Sequence, residues 1–104
     1  MENPKYVKAI SELAKDGITV MKVFGNSMTP IIQSGSILTF KRCDFGYEIG
    51  DIVLCKVNGR YIDAHIITSK NSDRGYLISN NHRHDNGWTH RVFGKVIEIN
   101  GTRR

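Results

Sequence analysis

Ser27 lies in the segment GNSMTP, residues 25–30, between a β-branched stretch and a proline. A serine hydroxyl is a poor nucleophile unless an adjacent base takes its proton and hydrogen-bond donors stabilise the oxyanion that forms. Gly25 permits a sharp turn and a close substrate approach, and Pro30 fixes the backbone that follows. Such a turn could hold the Ser27 hydroxyl exposed beside backbone N–H groups. The same residue types also form ordinary turns, so the segment alone leaves both interpretations open.

A base for this serine would have to be one of four histidines: His65, His82, His84 and His90. His65 interrupts the strand-like pattern YIDAHIIT, where a β-sheet would hold an imidazole rigidly, as a general base requires. A buried histidine with a purely structural role fits the same pattern. His82 and His84 have H-x-H spacing without an evident third ligand, which favours a solvated loop over a metal site. We expect no metal and no cofactor.

One helix is predicted near the N-terminus, over residues 3–15. Asn3 can cap this helix and Pro4 suits its first position. Apolar residues then recur at helical spacing, namely Tyr6, Ile10, Leu13 and Ala14. The Asp-Gly pair at 16–17 ends the helix. We expect the segment 1–17 to pack on a single β domain formed by residues 18–104.

The rest of the chain is predicted to form strands separated by glycine-containing turns, over residues 18–25, 34–42, 51–57, 60–68, 75–80 and 90–99. Asn58-Gly59 predicts a tight hairpin between the third and fourth strands. Gly94 indicates a bulge or a close backbone approach, and NNHRHDNGW, residues 80–88, is interpreted as a polar loop. The predicted fold class is mainly β, a small barrel or folded sheet with one N-terminal helix.

Composition and charge argue against several classes of protein. No apolar run approaches the roughly 20 residues of a membrane span, and the N-terminus has no apolar signal-peptide core, so we expect a cytoplasmic protein without a membrane anchor. Cys43 and Cys55 lack metal-ligand spacing and are expected to be reduced thiols, with Cys55 packed as a small apolar residue. The net charge of +5 comes from dispersed basic residues, which favours a solvated surface over a nucleic-acid groove.

The order of these segments resembles the serine peptidases that include LexA-type repressors and type I signal peptidases. GNSMTPIIQSGSILTF is similar to their G-x-S-M-x-P nucleophile segment and the strand after it, and YEIGDIVLCKV to their x-x-G-D-I-V strand. NGRYIDAHII is similar to the hairpin whose second strand carries the base. GYLISNNHRHDNG and RVFGKVIEI are similar to the following strand and loop and to the closing strand. The resemblance covers residues 18–99 in order and implies the same fold.

The resemblance implies specific roles for residues of the nucleophile turn. Ser27 is the nucleophile, its own N–H contributes to the oxyanion hole, and Gly25, Asn26 and Met28 occupy the oxyanion and substrate-binding positions. His65 occupies the position of the general base. The LexA and bacterial signal peptidase branch has lysine at that position, whereas the signal peptidases of the endoplasmic reticulum and of archaea have histidine.

The histidine branch also carries an aspartate in the later loop, and Asp85 is its counterpart here. A histidine has an ordinary pKa of about 6.5 and needs little shift to act as a base, but its tautomer must be fixed. Asp63 is the alternative acid, although it lies about 7 Å along the strand from His65 at the usual rise per residue. A Ser–His dyad without an acid is also open.

The resemblance implies a serine endopeptidase that cleaves a protein in trans, with an extended substrate and a small residue before the scissile bond. Self-cleavage is not expected, because the segment ELAKDGITVMKV contains no bond of the Ala-Gly type that LexA-type proteins cut. Two alternatives are open. The chain could be a catalytically silent peptidase-like domain that binds a protein partner, or a small nucleic-acid-binding β-barrel.

Overall fold

The computed structural model describes residues 3–104, so residues 1 and 2 of the predicted N-terminal segment lie outside the described part. It contains one helix and eight strands, and the strands form a single antiparallel sheet. In chain order the elements are α1 Pro4–Asp16, β1 Ile18–Lys22, β2 Ile37–Lys41, β3 Ile52–Val57, β4 Arg60–Asn71, β5 Gly75–Ser79, β6 Asp85–Thr89, β7 Val92–Ile99 and β8 Thr102–Arg103. The predicted mainly β class with an N-terminal helix is confirmed.

Helix α1 begins and ends where its capping residues predict. The Asn3 side chain accepts a hydrogen bond from the backbone N–H of Lys5 at 2.9 Å, and Pro4 follows in the first turn. Gly17 adopts the left-handed conformation with φ of 76° and donates its N–H to the carbonyl of Leu13 at 3.0 Å. The helix is too short and too polar to cross a membrane, and it is the only helix among the described residues.

Strand β3 lies at the centre of the sheet, whose strand order is β1-β2-β7-β3-β4-β5-β6 with β8 beside β7. Alternate side chains of β3 point to opposite faces. Ile52 and Leu54 join a core cluster beneath α1, whereas Val53, Cys55 and Val57 join a second cluster on the other face. Both faces of the central strand are therefore buried, as expected for a folded sheet.

The two cysteines are free thiols. Cys55 is fully buried in the second core cluster, and burial raises the pKa of its thiol to about 12. Because the thiolate is the reactive form of cysteine, Cys55 is a packing residue.

The Asn58-Gly59 hairpin is confirmed. Both residues have positive φ, 50° and 80°, and they connect the paired residues Val57 and Arg60 of β3 and β4. Two consecutive residues with positive φ are characteristic of the type I′ turn that this dipeptide favours.

The sequence predicted either a bulge or a close backbone approach at Gly94, and the structure has both. The register of the β3–β7 pair shifts just after Leu54 pairs with Gly94. A Cβ at this glycine would lie 3.1 Å from a methyl carbon of Leu13 and 3.3 Å from the carbonyl oxygen of Lys41. A side chain at residue 94 would therefore require Leu13 of helix α1 or the backbone at Lys41 to shift by a few tenths of an ångström.

The sequence prediction was wrong about the segment 80–88, because its second half forms strand β6, which pairs with β5. Asp, Asn and Gly are poor strand formers, so the local composition concealed a strand that depends on its neighbour. The short strand β8 was also missed. Strands β1 and β2 are shorter than predicted, because residues 23–36 form the long connection that contains GNSMTP.

Candidate active site

The turn that carries Ser27 is anchored by the side chains that follow it. Met28 and Ile32 are each only 3% exposed and belong to the core cluster beneath α1. The N–H of Ile32 donates to the carbonyl of Met28 at 3.0 Å. Gly25 has φ of 106°, a value that strongly favours glycine, and the Thr29–Pro30 peptide bond is cis. Ser27 is thus half-buried at the start of a turn whose remainder is fixed in the core.

The structure brings Ser27 and His65 together. The Nε2 atom of His65 lies 3.0 Å from the Oγ atom of Ser27, although 38 positions separate the two residues in the chain. His65 projects from β4 where that strand pairs with Val53 of the central strand. This distance suits transfer of the hydroxyl proton to the imidazole.

Burial lowers the pKa of His65 below its ordinary value of about 6.5. A hydrogen bond to Asn86 and the charge of Asp63 act in the opposite direction but do not outweigh the loss of solvation. At neutral pH the imidazole is therefore uncharged and can accept a proton.

The side chain that orients His65 is Asn86. Its Oδ1 atom lies 2.7 Å from Nδ1 of His65. Because an amide oxygen can only accept a hydrogen bond, the imidazole proton is on Nδ1 and the lone pair of Nε2 faces the hydroxyl of Ser27. Asn86 thus selects the same imidazole tautomer that an aspartate selects in Ser-His-Asp triads.

The structure does not place Asp85 against His65. The Oδ1 atom of Asp85 accepts a hydrogen bond from Ser79 Oγ at 2.6 Å, and that hydroxyl also lies 2.8 Å from Thr68 Oγ1. Since consecutive side chains of a strand point to opposite faces, Asp85 and Asn86 of β6 cannot both face the histidine. The sequence interpretation chose the wrong neighbour because it treated this segment as a loop.

The alternative acid, Asp63, is also bonded elsewhere. One of its oxygens accepts from the Lys5 ammonium at 2.7 Å, and the other accepts a short hydrogen bond from the Tyr6 hydroxyl. Both donors belong to helix α1. Asp63 therefore ties the helix to β4 and does not contact the imidazole of His65.

The residues predicted at the oxyanion positions differ in which of their backbone groups are already hydrogen-bonded. The N–H of Gly25 donates to Ser34 Oγ at 3.1 Å, and the carbonyl of Asn26 accepts hydrogen bonds from other residues. The amides of Ser27 and Met28 donate no hydrogen bond to any residue within the described range 3–104. The N–H of Asn26 donates none within this range either, so three consecutive N–H groups of the turn, those of Asn26, Ser27 and Met28, are available to an oxyanion.

The other histidines serve the fold. The Nε2 atom of His82 lies 3.0 Å from the carbonyl oxygen of Asn26, and that of His90 lies 2.8 Å from the carbonyl oxygen of Asp73. His84 uses its backbone N–H to bond the side chain of Asn80. Among residues 3–104, no three His, Cys, Asp or Glu side chains cluster in a way that suits a metal ion.

A cleft of about 280 Å³ contains both Ser27 and His65. One wall is the chain that follows β1, residues 23–25, and the other is the segment 62–64 of β4. Tyr6 of helix α1 also lines the cleft, so the helix contributes directly to the site. The buried side chains that line it are all apolar: Val23, Met28, Ile32 and Ala64.

Both walls of the cleft have backbone available for pairing. Strand β1 is the end strand of the sheet, and β5 pairs with β4 only from Ile66 onward. The segment 62–65 of β4 therefore pairs with β3 on one side, and no other strand of the described sheet pairs with it on the opposite side. An extended peptide in the cleft could hydrogen-bond to both walls.

A family model described as Peptidase S24-like matches residues 2–101. The match includes helix α1 and strands β1 to β7, and it extends beyond the segment 18–99 on which the sequence resemblance was based. No curated protein matches the chain.

Proposed function

The chain belongs to the Peptidase S24-like family, and from this premise we propose that it is a serine endopeptidase that cleaves another protein or peptide in trans. The family supports a peptidase-type domain. The observation that carries the finer proposal is the 3.0 Å contact between Ser27 Oγ and His65 Nε2 inside an open cleft. Ser27 is proposed as the nucleophile, His65 as the general base, and Asn86 as the residue that orients the base.

In the first half of the proposed reaction, Ser27 Oγ attacks the scissile carbonyl carbon while its proton passes to His65 Nε2. The carbonyl oxygen gains negative charge and is stabilised by the N–H groups of Ser27 and Met28. The carbon–nitrogen bond then breaks, and the leaving amine takes the proton from His65. An acyl ester on Ser27 remains, with the amino-terminal part of the substrate attached.

The second half repeats these roles with water as the nucleophile. His65 removes a proton from water, which attacks the ester carbon, and the proton then passes to Ser27 as the ester bond breaks. Asn86 keeps the Nδ1–H of the imidazole in place through both halves. An amide carries no charge, so it stabilises the protonated imidazole less than a carboxylate would.

The shape of the cleft supports an extended substrate with a small side chain beside the scissile bond. Two backbone segments that pair with a neighbour on one side only, one on each wall, could bind the main chain of such a peptide through their other edge. The floor is already filled by Met28 and Ile32, which leaves shallow space above it. A library of peptides digested by the protein should show alanine-like residues before the cut. A preference there for bulky or charged residues would refute this specificity.

The proposal is tested by Ser27→Ala and His65→Ala. Each substitution removes one partner of the proton transfer, so each should lower the cleavage rate by at least about a thousandfold. Cleavage of a peptide library is followed by mass spectrometry, and circular dichroism checks that the fold is intact. Ser72→Ala and His90→Ala, which change the same residue types outside the cleft, should cleave at the wild-type rate.

Preserved cleavage in either cleft variant would overturn the assignment of the dyad. Wild-type protein that binds extended peptides without cleaving them would instead indicate a catalytically silent domain. Labelling of Ser27 by a fluorophosphonate provides a second readout, because that reagent reacts with an activated serine whatever the substrate preference.

A further inference from the structure

The loop that joins β5 to β6, residues 80–84, donates hydrogen bonds to backbone carbonyl groups of the turn that carries Ser27. The backbone N–H of Asn81 donates to the carbonyl of Ser27 at 2.8 Å, and its side-chain amide donates to the carbonyl of Thr29 at 3.0 Å. The Nε2 atom of His82 lies 3.0 Å from the carbonyl oxygen of Asn26. Three carbonyls of one short turn therefore bond to two adjacent residues of the 80–84 loop.

The hydrogen bond between His82 and the carbonyl of Asn26 determines which ring nitrogen of His82 carries a proton. A carbonyl oxygen can only accept, so Nε2 of His82 carries a proton. The same Nε2 atom lies 3.2 Å from Thr29 Oγ1, which can accept from it because the Thr29 hydroxyl donates to Asn26. The same oxygen of Asn26 also accepts from Thr29, through the backbone N–H at 3.2 Å and through the hydroxyl at 2.9 Å.

These contacts determine where the oxyanion donors point. In a trans peptide the C=O and N–H groups of one unit point in opposite directions, and the only cis bond among the described residues is Thr29–Pro30. The carbonyl of Asn26 points toward His82, so the N–H of Ser27 points away from the 80–84 loop. The carbonyl of Ser27 points toward Asn81, so the N–H of Met28 also points away from that loop.

We propose that Asn81 and His82 are positioning residues that hold two peptide units in the orientation that keeps the Ser27 and Met28 N–H groups free for the oxyanion. This inference rests on the proposed peptidase function. Donors fixed in advance are effective because they need no reorganisation when charge develops. A rotated peptide unit would direct a carbonyl, instead of an N–H, toward that charge.

The 80–84 loop is itself rigid enough for this role. The side chain of Asn80 accepts hydrogen bonds from the backbone N–H groups of His82 at 2.8 Å and His84 at 3.0 Å. The backbone N–H of Asn80 donates to the carbonyl of His84 at 2.9 Å. Strand β6 follows directly and carries Asn86, which bonds the base. One hairpin, β5–β6, therefore positions both the nucleophile turn and the histidine.

The kinetic test compares three variants of the full chain. His82→Leu removes the donor, His82→Gln supplies an amide donor of similar reach, and Arg83→Asn changes the neighbouring exposed residue while tolerating its positive φ of 65°. We expect His82→Leu to lower kcat about 10- to 100-fold with KM changed by less than about twofold, because donor geometry acts on the transition state. His82→Gln should recover most of the loss, and Arg83→Asn should match wild type.

A peptidyl aldehyde with alanine at the reacting position separates this effect from substrate binding. Ser27 Oγ adds to the aldehyde carbon, the hydroxyl proton passes to His65, and the aldehyde oxygen becomes the anion. The affinity of His82→Leu for the peptidyl aldehyde should be lower than that of wild type by the same factor as kcat. Wild-type affinity for the aldehyde in His82→Leu, or a loss of equal size in Arg83→Asn, would overturn the proposed role of the loop.

Nuclear magnetic resonance of the free protein tests the loop even if the peptidase function fails. We expect His82→Leu, but not Arg83→Asn, to shift the amide resonances of Ser27 and Met28. We also expect a through-hydrogen-bond coupling between the Asn81 nitrogen and the Ser27 carbonyl carbon in wild type. Unchanged amides in His82→Leu would overturn the inference. A wild type that neither cleaves peptides nor binds the aldehyde would overturn only the proposed function.

Discussion

At the residue scale, the side chain that contacts Nδ1 of His65 influences the pKa of the imidazole. Asn86 offers a neutral oxygen to Nδ1, and burial lowers the pKa of the imidazole. A lysine in the same position would need much stronger desolvation to lose its proton near neutral pH. The pair of His65 and Asn86 therefore keeps the imidazole unprotonated in a partly exposed cleft, as the proposed role of general base requires.

The pH dependence of cleavage follows from this pairing. Only the unprotonated imidazole can accept the Ser27 proton, so kcat/KM should fall as pH decreases through the pKa of His65. Since burial places that pKa below the ordinary value, we expect the acid limb of the wild-type profile to lie below pH about 6.5. In Asn86→Asp, a carboxylate facing Nδ1–H should stabilise the imidazolium and move the limb upward by about one unit or more.

The control for this profile is Asp85→Asn, which removes a charge one position away on the opposite face of β6. We expect its acid limb to move much less than that of Asn86→Asp. An equal shift in both variants would show that general electrostatics, and not the contact with Nδ1, sets the pKa.

The sequence could predict part of this site but not all of it. The pairing of Ser27 with His65 was predicted from the family resemblance, because the residue patterns alone left an ordinary turn and a structural histidine equally open. Asn86 could not be chosen over Asp85, because the choice depends on which face of a strand each side chain occupies. That strand was not recognised. The contacts of His82 could not be predicted either, because they join two loops that are distant in the sequence and that no motif connects.

At the element scale, helix α1 and strand β7 share a contact that depends on two residues of complementary size. Leu13 is 1% exposed, and its two methyl carbons would lie 3.1 and 3.2 Å from a Cβ at Gly94, a tighter contact than usual. The predicted helix and the predicted irregularity at Gly94 were both correct as local features. Their direct contact could not be read from the sequence, because it depends on how the helix crosses the sheet.

This contact predicts a coupling between two substitutions. Leu13→Ala should lower the free energy of unfolding by about 2–5 kcal/mol through the cavity that it creates. Gly94→Ala should cost about 1–3 kcal/mol through overpacking in the wild-type background, and less once Leu13 is already alanine. Denaturant unfolding measures all three variants. Val7→Ala on the exposed side of the helix should change stability by less than about 0.5 kcal/mol, and additive effects of the pair would contradict the contact.

At the scale of the whole molecule, the cleft is formed by parts of the chain that are far apart in sequence. Helix α1 supplies Tyr6, the connection after β1 supplies Ser27, β4 supplies His65 and β6 supplies Asn86. The hydrogen bonds of Tyr6 and Lys5 to Asp63 attach the helix to β4, the strand that bears His65. The site therefore requires α1, the connection after β1, β4 and β6 to be in place together.

Substrate binding across both walls predicts a distinct pattern of hydrogen exchange. An alanine-containing extended peptide bound to Ser27→Ala should slow amide exchange in residues 20–24 and in residues 62–65 together, because it pairs with both segments. The exchange of β8, far from the cleft in the order of strands, should not change. Protection of one segment alone would show that the peptide pairs with a single wall.

The central strand has a consequence for how the molecule unfolds. Ile52 and Leu54 complete one core, and Val53, Cys55 and Val57 complete the other, so neither core can lose β3 without opening the other. We therefore expect a single cooperative transition without a half-folded intermediate. Fluorescence of Trp88 in β6 and circular dichroism of the whole chain should report the same denaturation midpoint. Two separate midpoints would show that the two cores unfold independently.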